Sequence, residues 1–363
     1  MNSSAVHIHR RRNAQRTDAV SAWSLSEREE LILRAIVQSY VLSANPVSSA
    51  ALMKQLESDL KVSSATIRNI VAHLEERGFV NHPHVSAGRV PTDLGYRYYV
   101  DSLMAPEALS TVEAQSLREH LNAGTTEGLL RDASRLLGVV SRLLGVVQLP
   151  TVGDLTIRRI ELVPLSSTRL LVVVAFDSDV LRTVTLETDT NVMPESCEAV
   201  SRIMNERVSG KPLRFVRENF PQMLDDHSSN PVVRLFVDSL DKLLHEHSDR
   251  LHLAGAQNLV QQPEFDTPDR LRGVVELMEN EDVIVHLMER TGINSGNAGV
   301  NVMIGSEIQN DLLRDFSFVS AQYRIGTRSY SVGLIGPKRM NYAKLMSLVG
   351  SVAHLITSSA RND

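Results

Sequence analysis

A single cysteine, Cys197, supplies all the thiol in this 363-residue chain. That excludes an internal disulfide and fits a reducing compartment, so a cytoplasmic location is expected. Cys197 itself reads as a small core hydrophobe rather than a reactive thiol. Long hydrophobic runs are missing as well. A membrane span needs about 18 uninterrupted apolar residues. The nearest approach, Leu136–Leu149, is broken by Ser141 and Arg142, so no membrane partner is expected. Residues 1–20 carry Arg10-Arg11-Arg12 with no apolar stretch behind it, so no secretory leader is expected either.

Signatures of catalysis are also absent. The chain has no G-x-G-x-x-G, no Walker loop, no G-x-S-x-G and no H-E-x-x-H, and neither catalytic residues nor a cofactor is expected. The glycine-rich loop Gly292–Gly299 has no lysine and reads as a link from helix to strand. His245, His247 and His252 lie in a stretch read as helical, where the i, i+2 spacing puts two of them on different faces. Solvated histidines are expected there, not a metal site.

What the chain does have is the composition of a folded, multidomain protein: 42% hydrophobic and 22% charged residues, over a length that suits two or three domains. The net charge of −5 is unevenly divided. Residues 1–105 hold 12 Lys and Arg against 10 Asp and Glu, a net of +2, which leaves −7 for the rest. This points weakly to an anion-binding N-terminal part on an acidic body. Residues 1–24 read as a disordered arm, either touching phosphates or without a role.

Helical periodicity dominates Ser26–Met104 and Leu109–Val147, and it returns in Glu195–Val208, Val232–His247 and Thr267–Glu289, with Pro194–His252 read as helical throughout. A final helix covers Asn341–Ser358. Strand-like runs fall at Thr156–Leu162, Arg169–Phe176 and Val180–Leu186, then at Gly299–Ile304, Phe316–Ile325 and Ser329–Ile335. The simplest topology is one mixed or antiparallel sheet interrupted by a helical insertion. The fold class is α+β and multidomain.

The N-terminal part carries the functional argument. Ser26 and Glu29 form a capping box, and Leu31, Ile32, Ala35 and Ile36 make one apolar face. Asn45-Pro46 breaks the chain, and Ser48 can cap a short helix, Ser49–Leu56. Ser63 then caps a third helix, in which Ile67, Ile70, Val71 and Leu74 form one stripe. Ala65, Arg68, Asn69 and Ala72 lie opposite, flanked by Thr66 and His73. Small residues let a helix sit deep in a groove; Arg can pair with guanine and Asn with adenine. A helix that packs on protein has no use for that face, and a merely solvated one carries more Glu and Lys.

Gly78 ends the helix, and the run from Phe79 to Val90 reads as a hairpin with Ser86-Ala87-Gly88 at its tip. Three helices and a hairpin are the order of a winged helix. His82, His84 and Arg89 are expected to project from the wing to phosphate or the minor groove, while Ser48, Ser49, Ser63 and Ser64 fix register on phosphates. A plain three-helix packing module is the alternative that periodicity alone leaves open.

Several separated runs then resemble one family. Val62-Ser63-Ser64-Ala65-Thr66-Ile67-Arg68-Asn69, His82-Pro83-His84, Ser86-Ala87-Gly88-Arg89-Val90-Pro91-Thr92-Asp93 and Gly95-Tyr96-Arg97 resemble the heat-inducible repressor family HrcA. So do Pro263-Glu264-Phe265, Val302-Met303-Ile304-Gly305-Ser306-Glu307 and Ile335-Gly336-Pro337-Lys338-Arg339-Met340-Asn341-Tyr342. The likeness spans roughly residues 25–360. Ile308 departs from a position that is often polar in the family.

The resemblance implies a winged-helix DNA-binding domain at 25–104, a GAF-like domain at 105–192 and 255–363, and an inserted dimerisation domain at 193–254. It implies a homodimer that binds double-stranded DNA at an inverted-repeat operator and represses chaperone genes, assisted by a GroEL-type chaperonin. The alternative is a regulator that senses a small molecule through the GAF-like body. Lys338 and Arg339 are expected to brace the last helix or face solvent, with phosphate binding as the lesser reading.

Overall fold

The computed structural model describes residues 24–56, 63–83, 87–105, 107–121, 125–150, 153, 155–177, 181–187, 193–223, 250–291, 299–326 and 328–360. The arm, His84, Ser86, Val232–His247 and most of the loop Gly292–Gly299 therefore lie outside the described residues.

The N-terminal module starts as its sequence dictates. The Ser26 hydroxyl accepts the Glu29 N–H, and the Glu29 carboxylate takes the Ser26 N–H at 2.7 Å, which opens α1 (Glu27–Ser43). The Ser48 hydroxyl accepts the Ala51 N–H at 3.1 Å ahead of α2 (Ser49–Leu56), and Ser63 caps α3 (Ser64–Glu76) by accepting the Thr66 N–H at 3.2 Å. Gly78 takes φ +78°. In that left-handed conformation the Gly78 N–H reaches the Glu75 carbonyl and the Phe79 N–H the Leu74 carbonyl, both at 2.9 Å, closing the helix in a Schellman motif. The short strands β1 (Val80–Asn81) and β2 (Val90–Pro91) pair antiparallel. Val47 joins them through reciprocal 2.8 Å bonds with Arg89. Thr92 caps α4 (Asp93–Tyr98), which runs on into a π turn, Tyr99–Leu103.

Two helices, α5 (Thr111–His120) and α6 (Thr126–Ser141), lead into the body. Its main sheet has five strands in the order β7-β3-β10-β9-β8: β3 (Leu144–Gln148), β7 (Leu251–Ala254), β8 (Val300–Ile304), β9 (Phe316–Ile325) and β10 (Arg328–Pro337). Every pairing in it is antiparallel. α6 and α12 (Tyr342–Ser359) cover one face, where Leu137, Val332, Leu334 and Val352 are fully buried. α10 (Pro268–Glu279) and α11 (Glu281–Thr291) cover the other, over Val146, Phe318 and Ile335.

The single interrupted sheet expected from the sequence is corrected. The strands β4 (Ile157–Ser166), β5 (Arg169–Phe176) and β6 (Leu181–Glu187) form their own antiparallel sheet. Its inner face, including Ile160, Val172 and Val174, packs on α7 (Pro194–Val208) and α8 (Leu213–Met223) in a separate core with Cys197, Met204 and Val216. Asn205 fastens helix to strand, taking the Ile160 N–H at 2.8 Å and donating to the Ile160 carbonyl at 2.7 Å. Strands expected in the body and helices expected in the insertion thus share one core, because both are one-sided elements that can bury their apolar faces only against each other.

Three smaller expectations also change. Leu144–Val147 is strand, not helix, and so is Leu251–Ala254. The helix expected over Thr267–Glu289 is two, α10 and α11, parted at Asn280. The short α9 (Ala256–Val260) follows β7.

Candidate nucleic-acid interface

The apolar stripe of α3 is where its spacing puts it. Ile67, Val71 and Leu74 are buried and Ile70 half-buried, so the opposite face is held outward by burial of this one. Ala65, Arg68, Asn69 and Ala72 are exposed. Neither Arg68 nor Asn69 makes a side-chain hydrogen bond or ion pair with any described residue. The Ser63 and Thr66 hydroxyls meet at 3.0 Å at the head of the helix; Ser63 is exposed, Ser64 and Thr66 half-buried. Ser48 is exposed and Ser49 half-buried at the start of α2.

His73 is not free. Its Nδ1 lies 2.5 Å from Oε1 of Glu29, a carboxylate only 8% exposed. Burial pushes the Glu29 carboxyl up, but the Ser26 N–H and hydroxyl and the His73 ring outweigh it and hold it below the ordinary value. The C-terminal end of α3 is braced too: the Arg77 guanidinium stands 5.4 Å over the Phe79 ring and donates to the Ser24 carbonyl at 3.2 Å.

The wing residues correct the expectation of free projection. His82 Nδ1 bonds Glu75 Oε1, and Arg89 Nη2 lies 2.8 Å from Glu75 Oε2. Both side chains therefore turn back onto the end of α3, and Arg89 Nε is buried without a hydrogen-bond partner among the described residues. Glu75 was not singled out by sequence reasoning; its signal is the seven-residue step to His82 across the Gly78 turn, which brings an acid opposite a strand residue. His84 lies outside the described residues.

A second set of polar side chains joins this module to the body. Lys338 Nζ lies 2.8 Å from Asp93 Oδ1, and the Ser306 N–H donates to Asp93 Oδ2 at 2.9 Å. Burial raises the Asp93 carboxyl, but Lys338 and Ser306 more than reverse that and leave it below its usual value. Gly305 adopts φ +52°, and a Cβ there would stand 2.3 Å from Asp93 Oδ2. Arg97 donates to Glu307 Oε1 and to the Val302 carbonyl, both at 2.7 Å. Arg339 bonds Glu264 Oε1 at 2.5 Å, the Val41 carbonyl at 2.9 Å and Gln262 Oε1 at 3.1 Å. The runs 91–97, 263–265, 302–307 and 335–342, scattered along the chain, meet at this junction. The Lys338 carbonyl braces the start of α12 by accepting the Tyr342 hydroxyl at 2.7 Å, while the side chains of Lys338 and Arg339 reach the other way. They grip the module in front of them.

The family profile described as "HrcA protein C terminal domain" matches residues 127–346. The heat-inducible transcription repressor HrcA of Chlorobium chlorochromatii (strain CaD3) is 37% identical over 342 residues, covering 92% of this chain and 97% of that protein. The repressor of the same name from Chlorobaculum parvum is 36% identical over 348 residues, with the same coverage of both chains. Among solved structures, a hypothetical protein determined at 2.2 Å superposes with a TM-score of 0.63 at 24% identity, covering 93% of this chain and 99% of that one. That likeness speaks for the fold.

Proposed function

Because the chain belongs to the HrcA family of heat-inducible transcription repressors, we propose that it binds an inverted-repeat operator before heat-shock genes as a homodimer. In this reading residues 25–104 are a winged helix and α3 is its recognition helix. The exposed, unpartnered pair Arg68 and Asn69 carries the proposal. A solvent-facing Arg and Asn on a helix of otherwise small outward residues have the donors and acceptors that base edges require, each good pair adding about 1–3 kcal/mol of discrimination. Ser48, Ser49, Ser63, Ser64 and Thr66 sit at two helix starts, where N–H groups and hydroxyls suit phosphate. His73, His82, His84 and Arg89 complete the surface. The pairs His82–Glu75 and Arg89–Glu75 then set the angle of the wing, and phosphate competes with Glu75 for Arg89.

A two-fold dimer matches a two-fold site. The body and the unit containing β4–β6, α7 and α8 supply the dimerising surface, a GroEL-type chaperonin assists the active form, and the protein works in the cytoplasm without catalysis. Footprinting of the full chain on its own chaperone promoters tests the reading. Two protected half-sites about one helical turn apart are expected, and uniform protection with no sequence preference would overturn it.

A further inference from the structure

Between the N-terminal module and the body lies a cleft of about 630 Å³, within the size range of small-molecule sites. Its charged lining is mostly committed. Asp93 pairs with Lys338 and Glu264 with Arg339, while Asp315, half exposed, has Lys338 at 3.9 Å. Arg270, at the start of α10, is exposed and has no ion-pair or hydrogen-bond partner among the described residues.

Two phenols face the same space. Tyr96 is only 1% exposed, and its buried hydroxyl has no hydrogen-bond partner among the described residues. Such an orphan donor has lost its water without gaining an acceptor, which is unfavourable. The groups that act on it electrostatically include Tyr40, Glu264 and Arg339, all of which line the cleft. The Tyr40 hydroxyl likewise has no partner among the described residues, and it feels Glu264, Arg339 and Arg270. Burial raises both phenols above their ordinary range, so each stays a proton donor at neutral pH.

The geometry points to a binding site in this cleft for a small organic oxyanion, a carboxylate or a phosphate monoester, held by Arg270 and the hydroxyls of Tyr40 and Tyr96 with its apolar part against Val90 and Leu94. Three donors with no partner among the described residues, one of them cationic, line this cleft, while its carboxylates Asp93 and Glu264 are taken by Lys338 and Arg339; an oxyanion supplies several acceptors at once. Tyr40 and Tyr96 belong to the N-terminal module and Arg270 to the body, so an occupant bridges the junction and favours the docked arrangement by its affinity for it. This goes beyond the repressor reading and does not depend on it.

Calorimetric titration of the full chain, without DNA, tests the site with benzoate and phenyl phosphate as probes. One probe or both should bind with one-site stoichiometry; benzoate alone identifies a carboxylate site, phenyl phosphate alone a phosphate site. Arg270→Gln should weaken binding about tenfold. Tyr96→Phe should also weaken binding, yet leave the melting temperature of the free protein unchanged or higher, because the hydroxyl it removes has no partner to lose. Failure of both probes to bind, or equal binding by wild type and both variants, would overturn the site. So would a free Tyr96→Phe protein that melts lower, since the hydroxyl would then have a partner. With no DNA in the cell, such a failure leaves the operator reading untouched.

Discussion

Lys338 and Asp93 meet at 2.8 Å across 245 positions of sequence, and both side chains are 28% exposed. The pair fixes the start of α4, and with it the base of the N-terminal module, to the end of β10. An ion pair still wetted to that degree stabilises by about 1 kcal/mol or less, so its role is to fix orientation more than to hold the fold. Lys338→Met should lower the melting temperature only slightly but speed amide exchange over residues 93–104 and 302–308. Unchanged exchange in both segments would show that the pair does not hold the junction.

Substitution of Gly305 should act on the same pair from the other side. An alanine at φ +52° costs about 1–2 kcal/mol in backbone strain, and its Cβ would collide with the Asp93 carboxylate. Gly305→Ala is expected to melt lower than Lys338→Met and to show the same loosening of the junction. A melting temperature equal to that of wild type would count against this geometry.

Acid should release two of the carboxylates. Glu29 and Asp93 are both held below their ordinary values, so the unfolded chain binds their protons more readily than the folded one. Their contribution is full above the unfolded carboxylate range and is lost as pH falls through the lowered folded values. The urea midpoint of wild type should therefore drop more steeply on acidification than that of Asp93→Asn or Glu29→Gln, the curves converging at low pH. Parallel curves would contradict the sign.

On the outward face of α3, truncation should leave the fold alone. Arg68→Ala and Asn69→Ala remove exposed side chains, so melting should stay within about 0.5 kcal/mol of wild type. Specific affinity should fall by about 1–3 kcal/mol at defined base pairs. Wild-type footprints from both variants would remove α3 from the role of reader.

At the wing, Glu75 holds Arg89 at 2.8 Å. Freed by Glu75→Gln, Arg89 should add up to one phosphate contact, steepening the salt dependence of DNA binding by about 0.9 in log–log slope. Arg89→Ala should flatten it and weaken all sequences alike. Identical slopes for wild type and both variants would mean that the wing does not reach the backbone.

The N-terminal module was legible because its order is written locally: the caps Ser26, Ser48 and Ser63, the stripe from Ile67 to Leu74 and the Gly78 stop are all contacts within a few residues. Pairings across the chain were not. Leu144-Gly145-Val146-Val147 extends an apolar helical pattern, and a run that short has no period to separate strand from helix. The two sheets looked like one because strand pairing is decided by long-range packing. A clue lay in the strands themselves. β6 alternates buried and exposed residues along its length, as a one-sided sheet does, whereas β10 is buried along almost all of it, as a sheet covered on both faces is. His82 and Arg89 were read as outward because their partner Glu75 sits on another element. The runs at 91–97, 302–307 and 335–342 carry the family resemblance without showing their shared purpose, since nothing local says that Asp93, Ser306 and Lys338 touch.

The core of the N-terminal module does not close on itself. Tyr96 packs edge-on against Tyr342 at 6.0 Å, within one apolar cluster that runs from Leu25 to Ile356. During synthesis the residues around Tyr96 therefore leave the ribosome long before those they rest on. At about 5–20 residues per second, Asp93 waits roughly 10–50 seconds for Lys338. Through that interval the underside of the module is bare, and the nascent chain displays an apolar surface that only its own completion covers.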